Sequence, residues 1–144
     1  MFSFDIVIVL SSLATGSVAN YYSAIGTLSA QMAALVDPNP SALYYNSGGY
    51  APQYIELQLP STFTITSIAL QVAQLPNGVT QHLLYVGPTT NPTLLVNNLN
   101  GFTYSGQWIN LTYSPPLTNV RFLRLDTLSS PSWVAWVKFL VYGV

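Results

Sequence analysis

The sequence contains no cysteine, so disulfide frameworks and thiolate-metal sites are excluded. Charge is almost as scarce. Among 144 residues only Asp5, Asp37, Glu56 and Asp126 oppose Arg121, Arg124 and Lys138. That is 5% of the chain, where soluble domains average about 25%. Three cations are too few to displace counterions from a phosphate backbone, which excludes a nucleic-acid partner. The four acids are scattered and do not make a carboxylate-rich metal cluster. Long apolar runs are missing too. None approaches the roughly 20 residues of a transmembrane helix, so no membrane insertion is expected. Disorder is excluded by the opposite feature: 50% of the residues are hydrophobic, whereas disordered chains pair low hydrophobicity with high net charge.

What the chain has instead is neutral polarity: 15 Ser, 13 Thr, 10 Asn and 7 Gln. A net charge of −1 gives little colloidal repulsion. Part of the surface is therefore expected to be covered by other copies of the chain or by other assembly proteins. The length suits one domain with a sizeable core.

The first 19 residues, MFSFDIVIVLSSLATGSVA, have the apolar stretch and small residues of a signal peptide. They lack a basic n-region, and Asp5 sits where that region would be. The β-branched string Ile6–Val9 reads better as a strand, so residues 2–10 are expected to pack on the domain or on a neighbour. Residues 20–36 are the one helix candidate, best over 27–36, where Ala, Leu, Met and Gln dominate and Asp37-Pro38 would end it. Beyond residue 38 the pattern is β. Tyr54–Leu59, Phe63–Val72, Val79–Val86, Thr93–Val96, Phe102–Ser105, Gln107–Leu111, Val120–Leu125 and Trp133–Val141 read as strands. Pro76-Asn77-Gly78 is a turn, and Ser114-Pro115-Pro116 reads as a break. About eight short strands at this spacing predict an all-β sandwich or barrel.

Little here supports catalysis. His82 is the single histidine. It lies mid-strand with no nucleophile elbow and is expected to be a partly exposed strand residue. The acids form no local acid/base signature. Asp126 follows Arg124 on the same strand face, which predicts an ion pair, and Glu56 is expected to meet a hydroxyl or an Arg across the sheet. Aromatic residues are plentiful: 10 Tyr, 3 Trp and 6 Phe. Most such rings fill cores, but flat rings in loops also suit the C–H face of a sugar. Tyr44, Tyr45, Tyr50 and Trp133 flank turns and are the candidate glycan-binding residues. Asn110-Leu111-Thr112 is the one glycosylation sequon.

Four segments resemble the discoidin domain, also called the coagulation factor 5/8 C-terminal domain. Leu35–Ser41 with Tyr44 resembles its "AVDGDPxTxW" stretch. Ser47–Leu59 resembles "SGGxxPQWIEIDL", Val120–Leu125 resembles "ARYVRI", and Ser130–Gly143 resembles "SPSWVAWREIEVYG". The resemblance covers residues 35–144 and leaves 1–34 as an N-terminal strand, arm and short helix with a role in assembly contacts. It implies a galactose-binding-like jelly-roll sandwich and non-catalytic binding, often of glycans, through loops at one end. It also implies a structural calcium near the Asp-bearing loop, helped by a Glu of the last strand. Here Lys138 occupies that Glu position, Asn39 the second Asp position and Ala42 the Thr position. Calcium wants six to eight oxygens, and an ammonium opposes it. The expectation is no metal cofactor, with Lys138 pairing with Asp37 as a built-in cation.

Two functions follow from the sequence. The first is a non-enzymatic structural or attachment subunit of an extracellular or virion assembly, drawn from the depleted charge and the aromatic-rich sandwich. The alternative is a secreted, lectin-like carbohydrate-binding module, drawn from the family resemblance and the loop tyrosines, with cell-surface glycans as partners.

Overall fold

The computed structural model describes residues 18–22, 34–37 and 44–144. Eight strands form: β1 (Val18–Tyr22), β2 (Tyr45–Asn46), β3 (Gln53–Val72), β4 (Gly78–Gly87), β5 (Leu94–Asn98), β6 (Gly101–Thr103), β7 (Trp108–Ser129) and β8 (Ala135–Gly143); apolar and polar positions alternate along β4 and much of β3 and β7. Every pairing is antiparallel.

β3 and β7 are 20 and 22 residues long. Each runs through what the sequence pattern divides into two strands. Tyr54–Leu59 and Phe63–Val72 are the halves of β3. The expected strands Gln107–Leu111, from Trp108 onward, and Val120–Leu125 fall in the halves of β7. The expected break at Ser114-Pro115-Pro116 is a bend. Proline cannot donate to a ladder, so within a sheet it is confined to edges and bulges. The register jumps from Ser67↔Thr112 to Ile65↔Leu117, and from Phe63↔Val120 to Gln58↔Phe122. Pro115 and Pro116 lie in the first gap and Pro60 in the second.

The bends fold the sheet on itself. One layer runs β1, the first half of β3, the second half of β7, β4 and β5. The other runs β2, β8, the second half of β3 and the first half of β7. β6 extends the start of β4. Ile55, Leu57, Leu84, Leu123 and Leu125 of the first layer join Ile68, Leu70, Trp136, Phe139 and Val141 of the second in one core cluster. Each buried side chain of this size stabilises the fold by about 1.5–3 kcal/mol. The irregularity between Ile65 and Ser67 moves the inward positions of β3 from odd (Ile55, Leu57, Leu59, Ile65) to even (Ile68, Leu70, Val72). The jelly-roll sandwich expected from the sequence is the fold of this chain.

Asn20–Tyr22, the start of the helix candidate, is strand. It pairs with Tyr54–Glu56 at the edge of the first layer. Ala34–Val36 is helical, and Leu35 and Val36 join the core. The expectations for residues 2–10, the signal-like segment, the rest of the helix, Pro38–Pro40, Asn39 and Ala42 lie outside the described residues. Among the described residues no helix is long and apolar enough to cross a membrane.

Candidate functional site

Four connections converge at one end of the sandwich, the apex: 47–52, 73–77, 104–107 and 130–134. None of them carries a formal charge. Backbone hydrogen bonds tie them together. Val134 N–H donates to the Gly49 carbonyl (3.1 Å) and Ser47 N–H to the Val134 carbonyl (3.0 Å). Ala73 N–H donates to Ala135, and Gly106 N–H to Val72 (2.7 Å). The Ser105 N–H donates to Asn77 Oδ1 (3.0 Å). Gly106, at φ +85°, makes the turn between β6 and β7 in a backbone region that favours glycine.

Among the described residues twelve large apolar side chains are exposed, and eight of them crown this end: Tyr50, Leu75, Val79, Phe102, Tyr104, Trp108, Leu128 and Trp133. Exposed apolar side chains gathered at one end of a fold make that end a candidate contact surface. Tyr50 is 64% exposed and Trp133 46%. The Val134–Gly49 hydrogen bond sets them as neighbours on adjoining loops.

Of the four expected glycan-binding residues, Tyr50 and Trp133 are thus at the apex, and Tyr44 is exposed just ahead of β2. Tyr45 is different: it pairs with Trp136 in register and is completely buried in the core. A ring with no exposed face cannot stack on a sugar. Phe102 and Tyr104 were not singled out from the sequence. The signal for them was the outward phase they share either side of Thr103, just before the Gly106 turn.

Beneath the aromatic rim the interior is polar. Gln53, Thr127 and His82 stand side by side across β3, β7 and β4. His82, expected to be partly exposed, is 1% exposed, because it shares the inward phase of Leu84 and Val86. Its Nδ1 is 2.8 Å from Thr127 Oγ1, and its ring lies 4.8 Å from that of Trp136. Burial lowers its pKa to about 4, so the imidazole is neutral near pH 7. A hydroxyl–imidazole pair is the beginning of nucleophile activation. Thr127, however, is buried, and among the described residues no carboxylate bonds to the ring. His82 Nε2, Gln53 Oε1 and Gln74 Nε2 are buried with no hydrogen-bond partner among the described residues.

Three of the charged residues lie on the outer face of the first layer. Arg124 and Asp126 pair as expected, Nε to Oδ1 at 2.6 Å. Glu56 meets a hydroxyl, accepting from Thr90 Oγ1 at 2.7 Å. Lys138 is buried on β8, and its ammonium donates to the Ala34 carbonyl at 2.8 Å, at the end of the helical turn that precedes Asp37. A cation suits helix C-terminal carbonyls. This arrangement does not fit a calcium ion, because an ammonium already holds the oxygen that a hard cation would seek. Among the described residues no three metal-ligating side chains cluster.

No protein-family model matches the sequence, and no curated protein matches it. Solved structures do. The family 32 carbohydrate-binding module of Clostridium perfringens NanJ, solved with galactose, superposes with a TM-score of 0.71 at 14% identity over 93% of this chain and 99% of that one. Chitosan-binding module 1 of a Paenibacillus chitosanase/glucanase gives 0.69 at 20% identity, covering 92% of this chain and 98% of that one. A fucolectin from striped bass serum gives 0.75 at 11% identity, covering 93% of this chain and 49% of that one. The fold is the galactose-binding-like, discoidin-like sandwich. Within this galactose-binding-like fold, the crowned apex is the end where the loops following β2, β3, β6 and β7 meet.

Proposed function

We propose that this protein is a non-enzymatic carbohydrate-binding module that takes an uncharged glycan on its aromatic apex and acts outside the cell. One observation carries the reading: exposed rings and Asn, Gln and Ser side chains are concentrated on charge-free loops at one end of the sandwich. Rings supply faces for sugar C–H groups, and the amides and hydroxyls supply both donors and acceptors. That the neighbours in fold are carbohydrate-binding modules and a lectin supports the same reading. We prefer it to the assembly-subunit reading, which was drawn from the depleted charge and the aromatic-rich sandwich, because the neighbours in fold support the carbohydrate-binding one.

The test is a glycan array followed by calorimetry. The protein binds neutral glycans, and Trp133→Ala or Tyr50→Ala weakens binding about tenfold, the loss of one stacked ring. Absence of binding to any glycan would sink the reading. So would an apex variant that dissolves an oligomer and leaves glycan affinity unchanged, which would make the rim an interface between copies.

A further inference from the structure

A pocket of about 340 Å³ opens beside the apex on the outer face of the first layer, lined by Pro52, Gln53, Tyr54, Arg124, Asp126 and Leu128. Its position follows from the pleat. Tyr54 and Glu56 alternate with the inward Ile55 and Leu57, while Arg124 and Asp126 alternate with Leu123 and Leu125. The register sets Tyr54 against Asp126 and Glu56 against Arg124.

The charges around this pocket are held in place. Glu56 Oε1 accepts from Thr90 Oγ1 and from Asn91 N–H (3.2 Å), which fastens the β4–β5 connection to the sheet. Asn91 Oδ1 in turn accepts from Arg124 Nη1 at 2.9 Å. Arg124 Nε holds Asp126, and its guanidinium carbon lies 3.8 Å above the centroid of the Tyr54 ring. Fixed from three directions, the guanidinium keeps Nη2 without a bond among the described residues, and Asp126 likewise keeps Oδ2. The two side chains are 24% and 20% exposed.

Exposed ion pairs contribute only about 0–1 kcal/mol, so stability does not account for three of seven charges converging here. A guanidinium and a carboxylate locked side by side offer donors and an acceptor to neighbouring hydroxyls, each of which both donates and accepts. The pair is neutral and Glu56 lies behind it, so an anionic ligand is disfavoured. Pro52 and Leu128 supply hydrocarbon, and both also belong to the apex, Pro52 two residues beyond Tyr50 and Leu128 within the rim. Pro52 and Leu128 therefore lie between the two sites.

We propose that this pocket is a second sugar subsite, which holds the next residue of a neutral oligosaccharide whose terminal residue sits on the apex rings. The proposal rests on the apex reading. It makes Arg124 and Asp126 determinants of chain-length preference.

The experiment is calorimetric titration of the full chain with matched mono-, di- and trisaccharides ending in galactose, N-acetylgalactosamine, N-acetylglucosamine or mannose. In the series that binds, an oligosaccharide binds at least tenfold more tightly than its monosaccharide. Arg124→Gln and Asp126→Asn abolish that gain and leave monosaccharide affinity intact. Equal affinity for monosaccharide and oligosaccharide overturns the subsite while the apex reading stands, as does a gain that survives both substitutions. No binding in any series overturns the apex reading and this one with it. On the unmodified protein, the Arg124 Nε–H NMR signal shifts with the oligosaccharide and not with the monosaccharide. A signal that both sugars leave unmoved counts against the subsite even if neither variant folds.

Discussion

His82 shows how burial turns one ring into a pH-sensitive element of stability. Its pKa in the folded protein is about 4 against an ordinary 6.5, because the interior disfavours the charged ring. Between those values the unfolded chain holds a proton that the folded chain does not. Stability is therefore full above pH 6.5, falls as pH drops toward 4, and gains no further slope from this group below that. The span corresponds to about 3 kcal/mol. Urea titrations from pH 7 to 4 are expected to show a steeper loss for the native protein than for His82→Leu, and equal slopes would refute the assignment. The inward position was readable in the sequence, since His82 alternates in phase with Leu84 and Val86. What alternation does not convey is that a polar residue can hold such a position when a neighbour such as Thr127 bonds to it. Tyr113 is a parallel case: burial raises its pKa, and its hydroxyl donates to Asn97 Oδ1 at 2.6 Å.

Among the elements, β8 and the corner of β3 meet most closely at Gly143. Thr64 and Val144 exchange backbone hydrogen bonds of 2.7 and 2.9 Å, and a Cβ on Gly143 would lie 2.0 Å from the Thr64 carbonyl oxygen. No side chain fits there, which gives a physical reason for the glycine in the closing Val141-Tyr142-Gly143. Gly143→Ala must push two hydrogen-bonded strands apart. A loss of about 2 kcal/mol or more is expected, a fall of several degrees in Tm by calorimetry; an unchanged Tm would show that the corner yields freely. Strand existence was legible because alternation survives in each half of β3 and β7. Their continuity was not, since prolines in a sequence read as stops and only the partner strand shows that they sit where no ladder bond is needed. The strand at Val18–Tyr22 was hidden for another reason: its pairing with β3 is long-range, and local composition pointed to helix.

For the whole molecule, the scarcity of charge has a thermodynamic side. The one buried cation among the described residues is part of the chain itself: the Lys138 ammonium donates a hydrogen bond to the Ala34 carbonyl. Its pairing with Asp37 is our proposal. On that proposal, stability is independent of any metal supply. Adding calcium or a chelator is expected to leave Tm unchanged, whereas a metal bound only by the folded state would raise it with concentration. A calcium-dependent rise in Tm would show that the site takes metal after all. The overall class was legible because the four discoidin-like segments sit where the fold needs them: Ser47–Leu59 leads from the apex into β3, and Ser130–Gly143 leads from the apex into β8. The apex was legible only in part, since Tyr50 and Trp133 flank obvious turns, while Phe102 and Tyr104 reach the same end only through the β4–β6 pairing.

The two bent strands have a further consequence. Because β3 and β7 each belong to both layers, the sandwich is closer to a creased sheet than to two plates glued together. Neither layer can peel away and leave the other intact, since its departure would tear strands the survivor also needs. Opening is therefore an all-or-none event, and whatever steadies the apex steadies the base as well.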